Sequence, residues 1–282
     1  LFAGISQLGY LITVNLSSSA AVHAEKLGIT TGVGFTPYSN AYFIMLLPHS
    51  VITISLVTAL LPHLSDLAID KKFDLVHDQL VRAIRLVGIF TVPSACALIL
   101  FGTLITRTLF FGISNADAQY IGFVLGGFAL GLMPMSINLI ALRGLNAFEN
   151  VKLQVLSNFI MNVLGSVLSI VLAITLNPKW VTVGLAAALS FSYFIGAWTT
   201  IRLLHRYNIR IHVGEVAGLY LRLAGIFLVI AVPLRVLLRF IPGGNTLHLL
   251  VVLAVAGLGY IGAARVFKIE EVGSAFKLLL RR

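Results

Sequence analysis

Residues 35–65 read FTPYSNAYFIMLLPHSVITISLVTALLPHLS. They lie within a longer run, Leu27 to Ser65, that contains no Asp, Glu, Lys or Arg. A hydrocarbon core is crossed by about 20 apolar helical residues. This run is therefore long enough to span a bilayer, with an external loop left over at Gly28–Pro37, where Gly28, Gly32, Gly34 and Pro37 cluster. Its apolar residues fall on every face rather than on alternate positions, so it reads as a membrane helix and not as a barrel strand.

The same ruler finds uncharged windows at Leu1–Ala24, Leu86–Thr106, Ala118–Leu142, Leu153–Pro178, Trp180–Ile201 and Phe240–Ala264. Val216–Leu234 is weaker because it contains Arg222. The fold class is all-α: a polytopic transmembrane helix bundle with about eight membrane-spanning helices. These are α1 to α8, at roughly 2–22, 37–64, 84–106, 118–142, 153–176, 182–203, 217–238 and 246–266.

Composition agrees. The 282 residues are 59% hydrophobic and 11% charged, whereas a soluble domain carries about 25% charged residues. A soluble enzyme, a disordered chain and a free nucleic-acid binder are excluded. Cys96 is the only cysteine, so there is no internal disulfide and no metal site built from cysteines. The chain opens on Leu1 inside an apolar run, and is expected to be a piece of a longer protein rather than to begin with a signal peptide.

The net charge of +10 reports topology. With eight crossings, fifteen of the twenty Lys and Arg fall on the side shared by the N-terminus, the α2/α3, α4/α5 and α6/α7 connections and the C-terminal tail. Five fall on the other side: Lys26, Arg107, Lys179, Arg235 and Arg239. The bias places both termini in the cytoplasm. Arg222, near the start of α7, reaches the same interface by snorkelling. Between α2 and α3, Leu67, Phe73, Val76, Leu80 and Ile84 recur at helical spacing against Asp66, Asp70, Lys71, Asp74 and Asp78. That pattern predicts an amphipathic helix lying on the inner membrane surface.

Catalytic chemistry is thin. Every Asp and Glu lies in a predicted loop or at a helix end, and no two of the seven histidines form a ligand pair on one helix face. His49, directly after Pro48, reads first as a histidine satisfied by backbone freed at the proline. Pro48, Pro93, Pro134 and Pro233 sit inside predicted spans. Each removes a helix hydrogen bond, and several broken helices in one bundle are a transporter pattern. Polar stripes run along α1 (Ser6, Gln7, Thr13, Asn15, Ser17–Ser19) and α2 (Asn40, Tyr42, His49, Ser50, Thr53). On α5, Asn158 and Asn162 share a face. Hydrogen-bond glue between helices explains such groups; a cation held by Asn158 and Asn162 with Thr13 or Asn15 is the sharper alternative.

The run Tyr38–Pro48 and the close Leu60-Leu61-Pro62-His63-Leu64-Ser65 resemble the MurJ/MviN lipid II flippases of the MOP exporter superfamily, in their actinobacterial flavour. Leu142-Arg143-Gly144-Leu145-Asn146-Ala147-Phe148 looks like that family's Arg-Gly-x-x-Ala stretch, and Ser6-Gln7 and Gly184-Leu185-Ala186 also fit. The resemblance covers the chain as the second half of a fourteen-helix protein. It implies a C-terminal six-helix lobe at 1–210, then two additional terminal transmembrane helices and a cytoplasmic tail at 211–282. It implies translocation of undecaprenyl-pyrophosphate-linked peptidoglycan precursor across the cytoplasmic membrane by alternating access.

The implied substrate cavity involves Asn40, Tyr42, Pro48, His49 and Arg143, with an apolar groove running to α7 and α8 for the lipid tail. The implied partners are the polyprenyl-pyrophosphate lipid, membrane lipids and the protein's own N-terminal lobe, with no nucleic acid. No cofactor is implied; sodium or the membrane potential would drive transport. Two departures stand out. Phe43 or a neighbour occupies the place of a cavity arginine, and Thr13 and Asn162 stand where some members place carboxylates for sodium, so cation coupling there is weakened. The alternatives are another MOP-type exporter of a polyprenyl-linked glycan or drug, a membrane-bound transferase, or a scaffold that only recruits partners.

Overall fold

The computed structural model describes residues 2–29 and 32–267. Its described residues form eight long helices and no strand. They are α1 Phe2–Lys26, α2 Phe35–Ile69, α3 Phe73–Leu109, α4 Asn115–Ala147, α5 Val151–Thr175, α6 Pro178–Leu204, α7 Val213–Leu237 and α8 Asn245–Val266. Seven are long and apolar enough to cross a membrane; α1 is not among them. Its Ser, Thr and Asn residues lower its hydropathy, although its 25 residues extend about 37 Å at 1.5 Å per residue.

The connections alternate between two ends. At one end the Gly32 amide donates to Asp117 Oδ1 (3.0 Å), the Gly34 amide to Thr182 Oγ1 (3.2 Å) and the Tyr120 hydroxyl to the Lys179 carbonyl (2.7 Å). These tie together the α1/α2, α3/α4 and α5/α6 connections. At the other end Asn150 Nδ2 donates to the Tyr207 hydroxyl (2.8 Å), Phe148 stacks on Tyr207 (4.0 Å) and Phe73 meets Phe148 (5.8 Å). These join the α2/α3, α4/α5 and α6/α7 connections. The helix α1 runs parallel to α5, with Ser6 at Asn158 and Gly9 at Asn162 and Ser166. It thus lies along the bundle like the helices around it. The tail residues Lys268, Lys277, Arg281 and Arg282 lie outside the described residues.

Short polar side chains start the helices. Ser114 accepts from the Asp117 amide, Asn150 from the Leu153 amide, and Asn177 from the Lys179 amide with Pro178 in the first turn. Each satisfies an amide with no partner inside its helix.

The amphipathic segment between α2 and α3 is corrected. It is not a surface helix but the first turns of α3, a continuous helix of 37 residues. The chain reverses at Asp70–Lys72, with Lys71 at φ 54, and Val76, Leu80 and Ile84 are buried. Leu80 packs beside Gly144 and Leu204. The apolar face that suggested lipid contact is covered by protein, and α3 rises beyond the hydrocarbon region. The other ends also extend past the uncharged windows, because charged residues mark where a helix leaves the lipid and not where it stops.

The centre of the bundle is α4, with 61% of its most apolar segment buried against 17% for α5. It lies parallel to α6 in near-constant register, pairing Gly127 with Ala186, Gly131 with Ser190 and Gly144 with Leu204. A Cβ on Gly131 would sit 2.6 Å from Ser190 Oγ. Small residues let the two backbones close, as lipid-embedded helices require when no hydrophobic force drives them together. The apolar core continues from α2–α6 into α7 and α8. On the outer face of α6, Lys179 lies over Trp180 (5.8 Å) and Arg202 over Trp198 (4.5 Å).

The helices run through Pro93, Pro134 and Pro233 without a break in helical winding. After Pro48, residues His49–Ile54 wind as a π-turn, and a second π-turn at Leu253–Gly257 in α8 has no proline to announce it. Single cysteines at Gly32→Cys and Lys72→Cys, in a Cys96→Ser background, are expected to label from opposite sides of the membrane. Labelling of both by an impermeant maleimide from one side would mean that α2 does not cross.

Candidate functional site

Two cavities lined by described residues bear on function. The first lies between α1, α2, α5 and α6 and measures about 220 Å³. It is lined by Thr13, Tyr38, Tyr42, Asn162, Ser166 and Tyr193 among others, and no charged side chain reaches it. Tyr38 and Tyr42 are spaced i, i+4 on α2, and both pack against Phe128 of α4 (4.9 and 5.5 Å). That wedge directs their hydroxyls toward Thr13 and Tyr193 respectively.

The second cavity, about 330 Å³, lies between α2, α3, α7 and α8. Its walls are almost wholly apolar and include Ile52, Pro93, Ala97, Phe227, Ala256 and Gly257. It sits beside the α2 π-turn, the α8 π-turn and Pro93 of the continuous α3. Proline at 93 leaves the carbonyl of Ile89 without its helical amide, and the Tyr260 hydroxyl of α8 donates to that carbonyl at 2.8 Å. Tyr220 of α7 likewise donates to the Ile84 carbonyl at 2.8 Å. Its ring lies against Gly88, where a Cβ would approach within 2.2 Å. Arg235 of α7 also donates to the carbonyl of Leu100. The two terminal helices are thus fastened to α3 by donors aimed at backbone carbonyls, a satisfaction that lipid demands.

The expected site residues are dispersed. Tyr42 lines the polar cavity, while Asn40 and Pro48 are half-buried on α2 and line neither cavity. His49 is buried between α2 and α4, and its partner is a side chain rather than the backbone freed at Pro48. Its Nδ1 lies 3.0 Å from Ser136 Oγ, and Thr53 Oγ1 donates to the same oxygen at 3.0 Å. Ser136 itself donates to the Leu132 carbonyl (3.0 Å). With that single hydroxyl proton committed, His49 must donate as well, which puts its proton on Nδ1. Arg143 stands near the C-terminal end of α4, about 10 Å along the helix from Ser136. It is half-buried, and its Nε has no hydrogen-bond partner among the described residues. Phe43 is exposed on the outer face of α2.

The candidate cation ligands also separate. Asn162 Nδ2 donates to both the backbone carbonyl and Oδ1 of Asn158 (2.9 Å each). Asn158 Nδ2 donates to Ser6 Oγ (3.2 Å). Asn158 Oδ1 is therefore engaged by an amide, and the pair is arranged as a clamp between α1 and α5. Thr13 lines the cavity and donates to the Gly9 carbonyl, whereas Asn15 is exposed. The described residues contain no group of three His, Cys, Asp or Glu able to hold a metal. Sequence reading missed Ser136, Tyr193, Tyr220 and Tyr260. Only Tyr38 carried a local signal, its i, i+4 spacing from Tyr42.

Replacing both Asn158 and Asn162 with Leu is expected to lower stability by about 1–2 kcal/mol, equally in sodium and in potassium. A sodium-specific loss in the thermal melt would instead assign them to a cation. Tyr260→Phe is expected to cost about 1–3 kcal/mol through the bare Ile89 carbonyl, read in the same melt.

The sequence profile of the lipid II flippase MurJ family matches residues 1–255. Among solved structures, a lipid II flippase MurJ in an inward closed conformation aligns with a TM-score of 0.71 at 20% sequence identity. The alignment covers 93% of this chain and 51% of the flippase, so the chain spans about half the length of the structure it matches. At that identity the likeness concerns the fold.

Proposed function

The chain belongs to the lipid II flippase MurJ family, and we propose that it forms the C-terminal lobe and terminal helix pair of a transporter that moves lipid II from the cytoplasmic to the outer leaflet. The family match over residues 1–255 carries this reading. In this reading the protein is a transporter rather than an enzyme and resides in the cytoplasmic membrane. Both ends of this segment face the cytoplasm, in keeping with the fifteen-to-five bias of basic residues. Its substrate pairs an anionic pyrophosphate with a long polyprenyl tail and a saccharide-peptide headgroup, so three chemistries must be met.

The tail has a counterpart in the apolar cavity between α2, α3, α7 and α8. Arg143 offers the pyrophosphate a guanidinium whose Nε is still unpaired among the described residues. Alternating access needs a bendable element. The π-turn after Pro48 supplies one, because a π-turn stores an extra residue that can pass along the helix. Thr13 and Asn162 leave no formal charge between α1 and α5. That favours the membrane potential over a sodium ion bound there as the driving force. An anion leaving a negatively charged interior gains about 2.3 kcal/mol per elementary charge per 100 mV.

The decisive experiment is complementation of a strain depleted of its lipid II flippase by the complete protein, with leaflet-resolved detection of lipid II. Restored growth and outward lipid II are expected; a protein that reaches the membrane and restores neither would end the reading. Gly257 lines the apolar cavity, and a Cβ there meets nothing within 4 Å. Gly257→Leu is therefore expected to fill the groove without disturbing the fold and to slow transport severalfold. Pro48→Ala is expected to slow transport with membrane insertion intact.

A further inference from the structure

We infer that the polar cavity between α1, α2, α5 and α6 is a binding site for one neutral sugar ring. The flippase reading enters only in naming where that sugar comes from. Of the fourteen residues lining the cavity, ten carry polar side chains and none is charged. A phosphate, carboxylate or ammonium would be buried there without a counter-charge, at a cost of several kcal/mol. An apolar chain would leave Ser166 and Ser169, which have no hydrogen-bond partner among the described residues, unpaired. A sodium ion would need converging oxygens, yet Asn158 Oδ1 is already taken by the amide of Asn162. The chemistry that fits is a neutral molecule that both donates and accepts along its whole edge. Serine, threonine and tyrosine hydroxyls do both, and so do the hydroxyls of a sugar.

Size and shape narrow the ligand further. The volume of about 220 Å³ equals roughly seven waters at 30 Å³ each. It falls below the range of about 300–1,000 Å³ that receives drug-sized molecules, and it matches a single pyranose ring. Tyr10, Tyr38, Tyr42 and Tyr193 supply flat aromatic walls with polar tips, matching a ring that is apolar on its faces and polar on its rim. Gly9 and Gly165 line the same cavity without side chains and keep it open.

The test uses the complete protein in lipid nanodiscs, with tritiated N-acetylglucosamine as probe in equilibrium dialysis. Saturable binding is expected, unchanged when sodium is replaced by potassium. Tyr42→Phe keeps the ring and removes one hydroxyl, and is expected to weaken binding roughly fivefold. Ser166→Leu is expected to fill the cavity and abolish binding, with the thermal melt confirming that the variant is folded. Absence of saturable binding to the unaltered protein would mean that the cavity holds only water and would overturn the inference. So would binding that both folded variants retain in full, or binding that requires sodium.

Lipid II is then added as competitor. Displacement of the free sugar assigns the site to the lipid-linked headgroup, and lack of displacement assigns it to a free sugar; both support a sugar site. Lipid II transport measured on the same samples separates the two readings. Transport without sugar binding removes the sugar site alone, whereas sugar binding without transport removes the flippase reading alone.

Discussion

In lipid, a backbone carbonyl that loses its helical amide has no water to turn to, and this bundle is arranged around that constraint. Proline at 93 bares the carbonyl of Ile89, and a tyrosine from α8 reaches across to close it. That closure is also an attachment: Tyr260 holds α8 to α3 at Pro93, while Tyr220 and Arg235 hold α7 to α3 at other carbonyls. The Ile84 carbonyl to which Tyr220 donates keeps its place in the continuous helix. The apolar cavity lies beside the π-turns of α2 and α8 and beside Pro93, and Tyr260 is part of its wall.

A second consequence concerns α4. Its glycines face α6 at matched heights, so these two helices behave as a rigid pair. The helix α2 is joined to that pair by a compact polar knot, in which His49 and Thr53 both donate to Ser136. Because Thr53 and His49 lie on the π-turn itself, the most deformable part of α2 is also the part most specifically tied down. Motion of α2 relative to α4 must break or exchange these hydrogen bonds. A discrete rearrangement follows more naturally from that than a continuous bend.

Much of the architecture was legible in residue order because lipid imposes a coarse rule: charge is excluded over about 20 residues. Uncharged windows therefore found seven of the eight helices, and α7 was read as a helix despite Arg222. The rule says nothing about where a helix ends beyond the lipid, which is why the charged first turns of α3 read as a separate surface helix. Pro48 marked an irregularity correctly, but the π-turn at Leu253–Gly257 has no residue type that signals it. The polar cavity was half legible. Thr13, Tyr42 and Asn162 were singled out, but Tyr193 lay unmarked in an apolar run. Asn158 and Asn162 were placed on one face, and the structure then turned their amides toward each other. Partners such as His49 and Ser136, 87 positions apart, are set by packing and leave no local pattern.

The two tryptophans of α6 act as a depth gauge. Trp180 and Trp198 each sit beneath a cation, the arrangement that prefers the headgroup boundary. Eighteen residues of helix separate them by about 27 Å, close to the thickness of a hydrocarbon layer. Leu189, on the wall of the polar cavity, falls midway between the two. The hydroxyl-rich chamber therefore lies near the middle of the layer that the two tryptophans bracket. A bilayer thick enough to pull the tryptophans from their boundaries would shift the chamber off centre, which makes the protein's polar interior sensitive to the composition of the membrane around it.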